Sequence, residues 1–357
     1  MQVLQRKRAI STTVAIVAVL VIIIVAAVTA VAYYGTKTPT TTPSTSSQKF
    51  KMAVILGGDA TDDGFNANGI AVANWVQSTY GWNVSISQDV AYSDQARVIT
   101  SYAQEGYDVI WTDGNQFIGT TEAIAAQFPN VKFIMSPTYT GDNITSNLVA
   151  VSAGYQATGY YLAGVLAGKM THTNATGVIL GQWVAATDFE FYAYQAGVHS
   201  SNPAAKVYLA VPGTWSDPTI GYEAAQTMIT TDHVDILVPI ADATGRGVIA
   251  AATVANVSLI GTVQDQVELA PSVMMTSVLL NTTAFIQMVV QHIIAGTWSA
   301  IGGQIINMNL GSLAPYHAYT SVIPASVQQL VIQTAQGIDN GTIQVPFTYT
   351  PNPPSTP

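Results

Sequence analysis

Residues 51–69 read KMAVILGGDATDDGFNANG. The run Met52-Ala53-Val54-Ile55-Leu56 is apolar and has the length of a buried strand. Residues 66–79 carry helical spacing. A strand, a loop and a helix in that order begin a βαβ unit, and α/β proteins bind ligands in the loop after such a strand. A phosphate cradle would fill this loop with glycine so that backbone N–H groups could reach an anion. Here Asp62, Asp63, Phe65 and Asn66 present side chains instead. Asp62 and Asn66 are expected to hold hydroxyls or the edge of a base, and Phe65 to stack on a ring or close over it. Two structural roles compete with these: Phe65 as lobe core, and Asn66 as the cap of the following helix.

The same rhythm runs outward from this unit. Strand-like runs at 51–57, 83–88, 107–112, 131–136 and 148–152 alternate with helical stretches at 66–79, 93–105 and 120–127, with Ser93 as a candidate N-cap. A long helix over 156–170 follows. The pattern then restarts, with strands at 176–180, 206–211, 235–239 and 258–262 and helices at 188–199, 218–231 and 245–255. A strand at 273–278, a helix at 282–295, a strand near 304–308 and a helix at 325–340 complete it. Alternation of this kind implies right-handed crossovers and parallel sheets, and its repetition implies two lobes with a cleft between them.

The loops after the strands are rich in Asp, Asn, Gln and aromatic residues. In the first half they hold Asp62, Phe65, Asn66, Asp113 and Asn115. In the second they hold Trp183, Trp215, Asp242, Thr244 and Asp265. Arg246 is the one nearby cation. This chemistry suits a neutral ligand with hydroxyls and a flat ring: carboxylates accept from diols, amides read ring edges and aromatics stack. Asp217-Pro218 reads instead as the N-cap and first residue of a helix.

Composition narrows the function further. Charged residues are 9% of the chain, hydrophobic residues 49%, and the net charge is −9. An acidic chain without a basic face does not call for nucleic acid as a partner. With no cysteine there is no disulfide, thiolate metal site, Cys nucleophile or lipidated Cys. The five His residues, at 172, 199, 233, 292 and 317, show no metal spacing. No nucleophile elbow, P-loop or dinucleotide fingerprint is present. The sequence calls for no metal or cofactor and is read as a binding protein rather than an enzyme.

The N-terminus has its own signature. Arg6-Lys7-Arg8 precede an uncharged, mostly apolar stretch over 10–34. At about 1.5 Å per residue, it is long enough to cross a hydrocarbon core of about 30 Å. The basic flank places the N-terminus in the cytoplasm and the rest outside. The stretch around Ala9-Ile10 resembles a type IV pilin-like signal of archaea, cleaved between those two residues while the apolar helix is retained. A cleaved secretory signal is the alternative. A Ser/Thr/Pro tract over 38–47 reads as an extended stalk. Asn-X-Ser/Thr sequons at Asn83, Asn143, Asn174, Asn256, Asn281 and Asn340 agree with an external domain.

A family resemblance covers roughly 51–345. Asp62-Asp63-Gly64-Phe65-Asn66 is similar to the Asp-x-x-Phe-Asn motif of the basic membrane protein family. These are substrate-binding lipoproteins of ABC importers whose best-known members are purine-nucleoside receptors. Glu105-Gly106-Tyr107-Asp108, Phe128-Pro129-Asn130-Val131, Gly159-Tyr160-Tyr161-Leu162-Ala163-Gly164, Gly213-Thr214-Trp215-Ser216-Asp217-Pro218, Thr244-Gly245-Arg246-Gly247 and Asp265-Gln266 follow in family order. The chain also departs from the family. Ser136-Pro137 stands where an acid usually follows the strand, and Asp265 alone remains where two acids are common. Leu279-Leu280 replaces a frequent Lys, and the lipidated Cys is missing.

The resemblance implies an α/β, type I periplasmic-binding fold with two Rossmann-like lobes, each built on a parallel sheet. One N-terminal transmembrane helix precedes them. The expected organisation is a basic segment at 1–9, an anchor at 10–34 and a linker at 35–50. The first lobe is expected at 51–153 plus 276–297, the second at 154–275 plus 298–345, and a Pro-rich tail at 346–357. The expected function is extracellular capture of a nucleoside-like small molecule for an ABC permease, at the membrane through the N-terminal helix. A ligand-sensing receptor of the same fold and a nucleoside or sugar hydrolase are the rival readings.

Overall fold

The structure is a computed structural model that describes residues 49–138, 143–346 and 350–354. The expected anchor and the whole of the Ser/Thr/Pro stalk lie outside the described residues. Among the described residues no helix is long and apolar enough to cross a membrane.

The first half alternates as its sequence implies: β1 (Lys51–Leu56), α1 (Phe65–Tyr80), β2 (Asn83–Ser87), α2 (Gln95–Gln104), β3 (Val109–Asp113), α3 (Ile118–Ala125), β4 (Lys132–Thr138) and β5 (Leu148–Ser152). The second half follows with α4 (Ala157–Met170), β6 (Ala175–Leu180), α5 (Ala185–Ser201), β7 (Lys206–Ala210), α6 (Pro218–Thr230), β8 (Ile236–Ile240), α7 (Asp242–Ala255), β9 (Ser258–Gly261) and β10 (Met274–Leu280). The remainder is α8 (Thr282–Ile294), β11 (Ile305–Ile306), β12 (Gly311–Leu313) and α9 (Ala325–Asp339).

Two six-stranded sheets result, in the orders β11-β5-β4-β3-β1-β2 and β12-β10-β9-β8-β6-β7. Every neighbouring pair is parallel except β10 with β12. Alternate residues of β1 serve two cores: Met52, Val54 and Leu56 pack with Trp111, Phe285 and Val289, while Ala53 and Ile55 pack with Ile99, Ile110 and Phe133. Parallel sheets are covered on both faces, which is why these strands are apolar without alternation in polarity.

Two lobe boundaries differ from expectation. Residues 276–280 belong to β10 in the second sheet, where Thr276 and Ser277 pair with Ile260 and Gly261 of β9. Ile305 and Ile306, expected in the second lobe, extend the first sheet beside Ala150 and Val151. β10 lies between β9 and β12 in its sheet and β11 forms the edge of the other beside β5, pairings that a linear reading of domain order does not reveal. The chain therefore passes between the lobes after β5, after β10 and between β11 and β12.

Local signals explain several element ends. Asp217 caps α6 by accepting from the N–H groups of Thr219 (2.9 Å) and Ile220 (3.4 Å), with Pro218 first in the helix. Gly81 ends α1 in the left-handed conformation, φ 68°. Ser93 is not a cap; it sits inside a 3-10 turn, Tyr92–Asp94, that feeds α2.

Helices α4 and α5 touch backbone to backbone. A Cβ on Gly164 would lie 2.1 Å from the Tyr194 carbonyl, and one on Gly197 would lie 2.1 Å from that of Tyr161. Only glycine permits this approach. It brings the first turn of α4 against the first turns of α5, where the cleft is.

Candidate functional site

A cavity of about 430 Å³ lies between the lobes, within the range of small-molecule sites. It is walled by the loop after β1, the turn after β3, the segment leading into α4, and the starts of α5 and α7. Among the described residues that line it there is no Lys, Arg or His.

The wall from the first lobe is organised by Asp62. Its buried carboxylate accepts from the backbone N–H groups of Gly64 (2.9 Å), Asn66 (2.8 Å) and Ala67 (2.9 Å) and from Asn66 Nδ2 (2.7 Å). Those N–H groups belong to the unpaired start of α1, so Asp62 caps the helix from outside it. Asn66 Oδ1 in turn accepts from the Gly58 N–H (3.0 Å), which ties the helix to the end of β1. The Asp62 oxygens are thus occupied by the helix start. Asp62 itself does not line the cavity, whereas Phe65 and Asn66, at the helix start it caps, both do.

Asn115, in a 3-10 turn after β3, also lines the cavity beside Gln116. Asp113 lies just behind it and does not. The buried Asp113 carboxyl accepts from Ser136 Oγ (2.7 Å), and that oxygen accepts from Trp111 Nε1 (2.8 Å). Burial pushes the carboxyl up to about 8; the Ser136 hydrogen bond pulls the other way, and the charges of Asp62 and Asp242 add to the rise.

In the second lobe, Trp215 lines the cavity with its ring laid over Gly181, where a Cβ would come within 2.1 Å of the indole. Asp242 opens α7 in a left-handed conformation, φ 45°. It faces the start of α1 across the cleft, and its carboxylate accepts from the Phe65 backbone N–H. Burial, then the charge of Asp62, push Asp242 up to about 7 against that hydrogen bond.

Three expected contacts stand elsewhere. Trp183 packs edge-on against Phe191 and Tyr192 and donates from Nε1 to the Thr350 carbonyl (2.9 Å). Thr244 is buried, its hydroxyl accepting from the Asp217 N–H (2.9 Å) and donating to the Thr214 carbonyl (3.0 Å). Asp265 is paired with His317 Nε2 at 2.6 Å, away from the cavity. Each of these acid, hydroxyl or indole groups finds a partner in the fold and lies outside the cavity lining.

The strand-end reading did not include Tyr155, Gln156, Tyr160 and Glu190, which line the cavity from the crossing into α4 and from α5. Glu190 was detectable as an acid set between two aromatic residues, Phe189 and Phe191, in a chain poor in charge.

A model of the Bmp family, described as ABC transporter substrate-binding protein PnrA-like, matches residues 49–312. Basic membrane protein B of Borrelia garinii subsp. bavariensis is 27% identical over 272 residues, 74% of this chain and 79% of that protein. A purine-binding protein of Brucella abortus is 26% identical over 279 residues, 78% of this chain and 75% of that protein. A solved ABC transporter solute-binding protein of Aeropyrum pernix K1 shares the fold, with a TM-score of 0.73 at 19% identity over 84% of this chain and 94% of that one. With two parallel-sheet lobes, a cavity between them and a family match over most of its length, the chain belongs to the Bmp family of ABC transporter substrate-binding proteins.

Proposed function

We propose that the interlobe cavity captures an uncharged purine nucleoside for import. The carrying observation is the cavity lining: an aromatic ring from each lobe (Phe65 and Trp215), amides at Asn66, Asn115 and Gln116, carboxyls at Asp242 and Glu190, and no cation among the described lining residues. Two rings suit a flat heterocycle, and carboxyl and amide groups suit ribose hydroxyls and base edges. A phosphate would enter an acidic, partly dewatered site with no counter-charge, which is strongly unfavourable. The Brucella relative named as purine-binding supports the same reading.

In this account Phe65, Asn66, Asn115, Trp215 and Asp242 contact the ligand, and Asp62 holds the first two in place. Lobe movement at the three chain crossings admits and encloses the ligand, and the loaded form docks on a permease. The apolar stretch over 10–34 holds the binding domain at the outer face of the cell membrane. A thermal-shift titration of the full chain against nucleosides, free bases, nucleotides and sugars tests the ligand class. At about 100 times the dissociation constant, a ligand adds about 2.7 kcal/mol of stability. Shifts with nucleosides alone are expected; shifts with sugars alone would reject the nucleoside reading.

A further inference from the structure

Three buried oxygens at one wall of the cavity have no hydrogen-bond partner: Glu190 Oε2, Gln156 Oε1 and the Tyr160 hydroxyl. Their residues are 2%, 4% and 0% exposed, and all three line the cavity. Gln156 Nε2 donates to Glu190 Oε1, which fixes the two side chains against each other and leaves one oxygen of each unused. The close glycine-mediated contact of α4 with α5 holds the pair rigidly. Native folds seldom leave buried polar atoms unpaired, because each costs the full loss of its hydration. Three together on one cavity wall point to groups that a ligand completes.

The chemistry of the cluster selects the ligand group. Glu190 and Gln156 offer adjacent acceptor oxygens, and Tyr160 can donate or accept. The matching ligand edge presents two neighbouring N–H donors. Among purine bases, guanine does so through its ring N–H and exocyclic amine. Hypoxanthine has the ring N–H without the amine, and adenine sets an acceptor beside its amine. We propose that Glu190, with Gln156 and Tyr160, forms a subsite of the interlobe cavity that reads the donor edge of a guanine-type base and so sets the preference for guanosine over inosine and adenosine.

Burial also pushes the Glu190 carboxyl well above the usual range, with the Gln156 hydrogen bond opposing and the Asp242 charge adding. An N–H-rich edge would stabilise the ionised form at this position. A site built around such hydrogen bonds rejects analogues that lack them, since the buried acceptors are then left bare.

This inference rests on the nucleoside reading and is tested separately from it by calorimetric titration of the full chain with guanosine, inosine and adenosine. Guanosine is expected to bind at least about tenfold more tightly than the other two. Glu190→Gln should weaken guanosine more than inosine and bring the two within about threefold of each other, because the amide replaces one acceptor by a donor where guanosine presents one N–H group more than inosine. Tyr160→Phe should lower affinity for guanosine more than for inosine. Equal affinity of the unaltered protein for guanosine and inosine would overturn the inference while keeping the nucleoside reading, and needs no variant to fold. So would an unchanged guanosine-to-inosine ratio in Glu190→Gln. No binding of any nucleoside would overturn both.

Discussion

Arg246 on α7 of the second lobe donates from Nε and Nη2 to one carboxylate oxygen of Asp63 in the first, at 3.0 and 2.7 Å. Gln266 Nε2 adds a bond to the Asp63 backbone carbonyl at 2.7 Å. The second lobe thus holds the loop that leads into Phe65 and Asn66 at the start of α1. The ion pair is 40% and 45% exposed, so water and salt screen it to about 1 kcal/mol at most. Arg246→Ala is expected to weaken ligand binding by up to about fivefold at low salt and less at high salt. Titrations at two ionic strengths check this, and an equal loss at both would show that charge is not the cause.

Asp62 acts on binding through structure. Asp62→Ala removes four hydrogen bonds at the start of α1 and leaves buried N–H groups unpaired, a cost of about 2 kcal/mol or more. Urea denaturation should record that loss. Binding should fall as well, because Phe65 and Asn66 lose their anchor. Asp265→Ala is expected to leave affinity unchanged, since that carboxylate faces His317 outside the cavity.

Stability should depend on pH through Asp113. Its ordinary value is 3.8 and its folded value about 8, so between these limits the folded chain keeps a proton that the unfolded chain releases. The resulting stabilisation is fully present below the unfolded value and is lost as pH rises through about 8. Asp242, raised to about 7, contributes in the same direction. Asp113→Asn should flatten the fall in stability between about pH 4 and pH 8 in ligand-free protein. Denaturation midpoints of both proteins across that range make the comparison; a parallel decline would refute the role of Asp113.

Trp215 needs Gly181 beneath it. Gly181→Ala places a methyl 2.1 Å from the indole and forces the ring to move. Trp215→Ala is expected to cost about 1–3 kcal/mol of binding, the worth of stacking a base on an aromatic ring. Gly181→Ala should reproduce much of that loss while Trp215 is still present. Affinity measured on both variants distinguishes ring position from ring identity.

Much of this was legible in the chain. Apolar runs marked the strands, and Asp217-Pro218 marked a helix start that the structure bears out. The loops after strands pointed to Phe65, Asn66, Asn115, Trp215 and Asp242, all at the cavity. Asp62, Asp113, Trp183, Thr244 and Asp265, which the same rule also picked out, do not line the cavity, because sequence does not say whether a polar group already has a partner in the fold. It missed Gln156, Tyr160 and Glu190 because they stand at the start of α4 and one turn into α5, which a search of the loops after strands does not reach. Helix α4 is buried on nearly every side, so no polar face singled out the residues at its first turn. Residues 276–280 of β10 and strand β11 pair in the sheets opposite to those expected, because their places are set by pairing between distant segments.

The most direct test of the central claim is a calorimetric titration of the full chain with inosine and with its 5′-monophosphate. The nucleoside is predicted to bind, and the nucleotide to bind at least about a hundredfold more weakly, because the acidic cavity offers its phosphate no counter-charge. Equal binding of the two, or binding of the nucleotide alone, would contradict the account.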